Sequence, residues 1–90
     1  MAYFLVELYL PRNGPDGARG VAARARSVAA NASALGGGVR YVRSLFMPED
    51  EICLELYEAP SAEAVREAAA AGRRLGRIVE AIEYQLEASD

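Results

Sequence analysis

Five residues carry groups that could do chemistry together: Glu7, Tyr9, Arg43, Glu55 and Tyr57. Two carboxylates held close in a semi-enclosed place raise one another's pKa or wait for a cation. Phenols beside them are weak acids, and arginine is a permanent cation able to hold an anion or enolate. The set therefore fits a small pocket for a polar ligand or a cation. It also fits a cofactor-free enzyme of the cyclase, isomerase or monooxygenase kind, with Glu7 or Glu55 as base, Tyr9 or Tyr57 as acid and Arg43 on the anion. The plainer alternative is an interfacial Arg43–Glu55 ion pair, with the hydroxyls turned to water, in an oligomer that holds no ligand.

What the chain lacks narrows these choices. It has no histidine and one cysteine. The commonest general acid/base is missing, a Cys/His zinc site is excluded, and so is a disulfide within the chain. Cys53 lies among apolar neighbours with nothing to lower its pKa, which reads as a packed thiol rather than a nucleophile. A lone thiol fits a reducing compartment. With no signal-peptide pattern at the start and no apolar run near the roughly 18 residues of a membrane span, the expectation is a cytoplasmic protein. Ten basic against 13 acidic side chains leave a net charge of −3, which argues against nucleic acid, whose binding needs a basic surface. Gly36-Gly37-Gly38 follows a helical segment instead of opening one, so it is no phosphate loop.

The elements that must hold these residues are read from periodicity. The 90 residues make one domain, 1–90. Tyr3 to Leu10 alternate, with Phe4, Val6, Leu8 and Leu10 on one face and Leu5, Glu7 and Tyr9 on the other. Pro11 and the Asn13-Gly14-Pro15-Asp16-Gly17 turn end the strand. From Ala18 to Leu35 the period becomes helical, with Val21, Ala25, Val28, Ala32 and Leu35 inward. Val39 to Met47 and Glu51 to Glu58 form a hairpin around Pro48-Glu49-Asp50. Ser61 caps a second helix from Ala62 to Ala71, with Val65, Ala68 and Ala69 inward. Arg77 to Glu87 is the last strand, with Ile78, Ile82, Tyr84 and Leu86 sharing a face with Glu80. The order β-α-β-β-α-β predicts an α+β, ferredoxin-like fold: a four-stranded antiparallel sheet with two helices on one face.

The hairpin register follows from its faces. Opposing Arg43 to Glu55 sets Tyr41 against Tyr57 and Leu45 against Cys53, and gathers Val42, Phe46, Ile52, Leu54 and Leu56 under the helices. A slip of one residue would put Arg43 among the aliphatics. The uncovered face then carries Leu5, Glu7, Tyr9, Tyr41, Arg43, Leu45, Cys53, Glu55 and Tyr57, too apolar to meet only water. A second copy stacked on it, in a dimeric α/β-barrel-like association, is the expected partner, alone or within a larger homo-oligomer. Placing the first and third strands side by side and parallel brings Glu7 near Glu55 and Tyr9 near Tyr57.

The segment C-L-E-L-Y-E-A-P-S-A-E-A-V-R-E-A-A-A-A-G, Cys53 to Gly72, together with F-L-V-E at Phe4 to Glu7, V-R-Y-V-R-S at Val39 to Ser44 and R-I-V-E at Arg77 to Glu80, resembles the small bacterial ferredoxin-like family named for a nickel-binding member and formerly catalogued as a domain of unknown function. The resemblance spans nearly the whole chain. It implies a ferredoxin-like dimer and a divalent metal ion as cofactor. Where relatives carry histidine, near the end of the second strand and in the second helix, this chain has Arg43 and Ala69. A metal site here would fall to Glu7, Glu55 and Glu58, an oxygen set suited to ions harder than nickel. The resulting expectation is a dimeric module for a small ligand or metal ion, with the cofactor-free enzyme as its alternative.

Overall fold

Alternation alone fixes which side of the first strand meets the core. Phe4, Val6, Leu8 and Leu10 are all buried, while Tyr9 between the last two is 71% exposed. The structure is a computed structural model and describes residues 2–11, 17–34, 37–70, 75–82 and 84. Its elements are β1 (Ala2–Tyr9), α1 (Gly17–Ala34), β2 (Arg40–Met47), β3 (Ile52–Ala59), α2 (Ala62–Ala70) and β4 (Ile78–Ala81). The sheet order is β2-β3-β1-β4, with every pairing antiparallel. This is the expected ferredoxin-like α+β fold. Ser61 caps α2 as its residue type predicts, its Oγ accepting from the Ala64 amide at 3.1 Å.

The expectation that the first and third strands run parallel is corrected. The β1–α1–β2 crossover leaves β2 parallel to β1 with one strand's width between them, and the tight hairpin returns β3 into that gap antiparallel to both. Ala2 pairs with Ala59, Val6 with Glu55 and Glu7 with Leu54. Glu7 is therefore not beside Glu55, and Tyr9 pairs with Ile52 rather than meeting Tyr57.

This register also reverses the two faces of β3. Its odd-numbered residues share a face with Phe4, Val6 and Leu8, so Cys53, Glu55 and Tyr57 are fully buried on the helix side. Leu54 and Leu56 lie on the uncovered side, opposite Glu7 and Leu5. Among the described residues the helices bury Ala25, Ala29, Val65, Ala68 and Ala69, and the Tyr57 ring packs on the same side from the sheet.

β2 carries one extra residue between Tyr41 and Arg43. Before this bulge Tyr41 pairs with Tyr57, as expected; after it Arg43 pairs with Leu56 and Leu45 with Leu54. The expected partners of Arg43 and Leu45, Glu55 and Cys53, face Ser44 and Phe46 instead. A bulge sets two residues against one and turns all that follow to the opposite side, which delivers Arg43 to the aliphatic surface.

The last strand is shorter than its pattern predicts. Ile82 and Tyr84 lie beyond it at 70% and 84% exposure. Leu86, and the side chains of Val21, Val28, Ala32 and Leu35 on the first helical stripe, lie outside the described residues.

Candidate functional site

The polar residues of the sequence divide between the two sides of the sheet. On the helix side Glu55 and Tyr57 sit at 0% exposure, and the Tyr57 hydroxyl donates to Glu55 Oε1 at 2.7 Å. Tyr41 stands edge-on to Tyr57, with ring centroids 5.7 Å apart, and its hydroxyl shares a 2.7 Å hydrogen bond with Ser44 Oγ. Backbone alternation aligns Glu55 with Tyr57, and cross-strand pairing brings Tyr41 and Ser44 to them. A carboxyl can stay in such a place because its oxygens find donors there. The Tyr41–Tyr57 ring contact ties β2 to β3 on the helix side.

On the other side lies a groove of about 300 Å³. Leu5, Leu45, Leu54 and Leu56 form its floor and wall, with Tyr3, Ala81 and Ile82 at the β4 end and Arg43 at the β2 end. Leu45 is 59% exposed. Among the described residues the lining is mainly apolar, and a hollow of this kind can hold a hydrocarbon or aromatic body.

Among the described residues, the carboxylates of Glu58 and Glu7 on this face have arginine partners. Arg40 Nη2 meets Glu58 Oε1 at 2.7 Å. Arg77 Nε donates to Glu7 Oε1 at 3.0 Å. The second pair is set by a close backbone approach: the Gly76 amide donates to the Glu7 carbonyl at 2.7 Å. A Cβ on Gly76 would lie 3.0 Å from that oxygen, so a side chain there would push the pair apart.

Arg77, first by its hydrogen bond and then by its charge, holds the Glu7 carboxyl below the usual glutamate range. The folded pKa is thus lower than the unfolded one. The pair's contribution is complete above the ordinary glutamate pKa and is lost as pH falls through the depressed folded value. Arg77→Gln should raise the Glu7 titration toward the ordinary range, followed by carboxyl carbon NMR. It should lower stability near neutral pH and leave it unchanged in acid below the folded pKa. A Glu7 titration curve that does not move would show that the pair is not formed in solution.

The sequence-predicted ligand set of Glu7, Tyr9, Arg43, Glu55 and Tyr57 is therefore not one constellation. Glu55 and Tyr57 are together inside the core; Arg43 lines the groove; Glu7 is with Arg77; Tyr9 is exposed. Glu7, Glu55 and Glu58 are likewise apart, with Glu55 on the opposite side of the sheet from the other two. Among the described residues no three His, Cys, Asp or Glu side chains gather where one metal ion could take them. Sequence reasoning missed Tyr3, Leu54, Leu56, Ala81 and Ile82. The alternation of β1 was the available signal: with Phe4 and Val6 inward, antiparallel pairing would have turned Leu54 and Leu56 outward.

A family model described as "Nickel responsive protein SCO4226-like" matches residues 4–81. No curated protein matches. Among solved structures, the crystal structure of SCO4226 from Streptomyces coelicolor A3(2) is similar at 21% identity and a TM-score of 0.74, over 93% of this chain and 100% of that one. At that identity the likeness carries the fold.

Proposed function

The chain belongs to the SCO4226-like family of nickel responsive proteins, and we propose that it is a self-associating small-ligand-binding module whose ligand space is the uncovered sheet face, closed over by a second copy. The observation that carries this reading is the apolar groove of about 300 Å³ floored by leucines, into which, among the described residues, no helix side chain projects. A contiguous apolar surface of this kind is what interfaces and ligand grooves use. The expected sheet footprint supports a partner. Three strands of eight residues and one of four, about 4.8 Å apart with roughly 3.3 Å per residue, cover about 440 Å² before side-chain relief is counted. That is of the same order as the roughly 800 Å² per partner of a standard interface.

Nickel, the ion in the family's description, does not suit the donors of this chain. There is no histidine, the one thiol is fully buried within the core, and Glu7 and Glu58 are held by Arg77 and Arg40. Nickel prefers nitrogen and sulfur donors over carboxylates already paired with guanidinium. Among the described residues no three carboxylates gather for a harder ion either, so the proposed ligand is an organic molecule.

Sedimentation equilibrium through the micromolar range tests the association. The expected species has twice the 9.7 kDa chain mass. A single 9.7 kDa particle at the highest soluble concentration would remove the second copy from the reading.

A further inference from the structure

Just past the end of the last strand stand two large apolar side chains. β4 stops at Ala81, and Ile82 and Tyr84 beyond it are 70% and 84% exposed. We propose that both are contact residues for the second copy. Each copy's Tyr84 packs on the leucine face of the other at the β4 end of the groove, so the closed ligand space has walls from both chains. This rests on the association proposed above and assigns the part of each chain that completes the site.

Three observations point the same way. The first is position. Ile82 lines the groove together with Ala81 and Tyr3, and Ala81 pairs with Tyr3 in the sheet. A chain advances at most about 3.6 Å per residue, so the Tyr84 Cα lies within roughly 11 Å of that of Ala81, at the rim of the same face. The second is area. The sheet footprint of about 440 Å² falls short of the roughly 800 Å² that a standard interface takes from each partner. A tyrosine buries about 200 Å² and a branched aliphatic about 100 Å², so Ile82 and Tyr84 bring each side to roughly 750 Å². The third is side-chain type. A tyrosine joins an apolar ring to a polar tip, and interfaces are enriched in it for that reason. Here the ring would lie on leucines while the hydroxyl keeps its water at the rim.

The chain has no tryptophan, so Tyr84→Trp puts a single indole reporter into the full chain. Tyr84 is exposed, and the change should leave folding undisturbed. Across the concentrations at which sedimentation shows association, the indole emission should shift to the blue and its quenching by acrylamide should fall. Both changes should be lost when Tyr84→Trp is combined with Leu45→Asp, which breaks the face contact. Tyr84→Ala should weaken self-association by about tenfold or more, and Tyr84→Phe, which keeps the ring, by clearly less. Emission that stays that of a water-exposed indole in an associated chain would overturn the Tyr84 contact and leave the second copy on the sheet face. A blue-shifted emission in a variant that sediments as monomer would place the side chain against its own chain and overturn the contact as well. A 9.7 kDa particle at every concentration would overturn the contact together with the association it rests on.

Discussion

Tyr57→Phe is expected to lower stability by about 1–3 kcal/mol, the cost of taking a donor from a buried polar group. In a domain of this size that corresponds to a fall in melting temperature on the order of 5–20 °C. The ring keeps its edge-on contact with Tyr41, so the whole effect comes from one hydroxyl. That hydroxyl matters because the Glu55 oxygen it serves, at 2.7 Å, has no exposure to water that could replace it. Glu55→Gln should be milder, since a side-chain amide still offers an oxygen to Tyr57. The distinctive result lies in the pair. Replacing both partners by apolar groups of similar shape, as in Glu55→Leu with Tyr57→Phe, should cost clearly less than the two single changes added together, because neither end of this hydrogen bond is left stranded by the other's removal. Coupling of this kind is read from a double-mutant cycle in urea or by thermal unfolding. Strict additivity would mean that the two groups do not act on each other in the folded chain.

The contrast between β1 and β3 explains how much of the molecule could be read from its sequence. β1 has a one-sided pattern: Phe4, Val6, Leu8 and Leu10 are apolar, while Glu7 alone among their alternates settles the other side as the wetter one. Its face was legible and the structure agrees. β3 is apolar on both sides, with Ile52, Leu54 and Leu56 against Cys53 and Tyr57. Hydrophobicity alone favours the aliphatic set for the core. The structure takes the other set, with the Tyr57 ring buried on the helix side. A central strand sandwiched between the core and a second apolar surface gives no polar face to orient by. The β2 bulge compounded this, since V-R-Y-V-R-S has neither the glycine nor the proline that often marks an irregular strand position.

Element order and the antiparallel hairpin were legible because they rest on period and turn residues, which are local. Relative strand direction and site membership were not, because they depend on pairing across the sheet. Glu55 shows the consequence: read as a neighbour of Arg43 on the open face, it is in fact a core residue. The charged pairs that do occupy the uncovered side, Arg77 with Glu7 and Arg40 with Glu58, join residues whose distance along the chain conceals them. The apolar character of that face was legible all the same, from Leu5 and Leu45, and the exchange of Cys53, Glu55 and Tyr57 for Leu54 and Leu56 makes it more apolar than expected.

That strengthened face leads to the expectation that Leu45→Asp abolishes the proposed self-association while leaving the fold intact. Leu45 is 59% exposed in the single chain, so a carboxylate there remains hydrated before association and the folded monomer loses little. In a face-to-face pair related by a two-fold axis each copy brings the same substitution, and every cost is counted twice. The apolar burial forgone is about 1 kcal/mol per copy. Dehydrating an uncompensated carboxylate against leucines adds several kcal/mol more. Together these weaken association by at least about 100-fold. Sedimentation would report the change in mass, and circular dichroism the retained fold. Leu45→Ala is the companion variant: it removes burial without adding charge and should weaken association by no more than about 30-fold. If Leu45→Asp associates as tightly as the parent chain, the second copy does not sit on this face, and the leucine groove is open to a ligand without a partner to close it. If Leu45→Asp instead unfolds, the loss of association cannot be assigned to the interface, and Leu45→Ala, which introduces no charge, decides between the two.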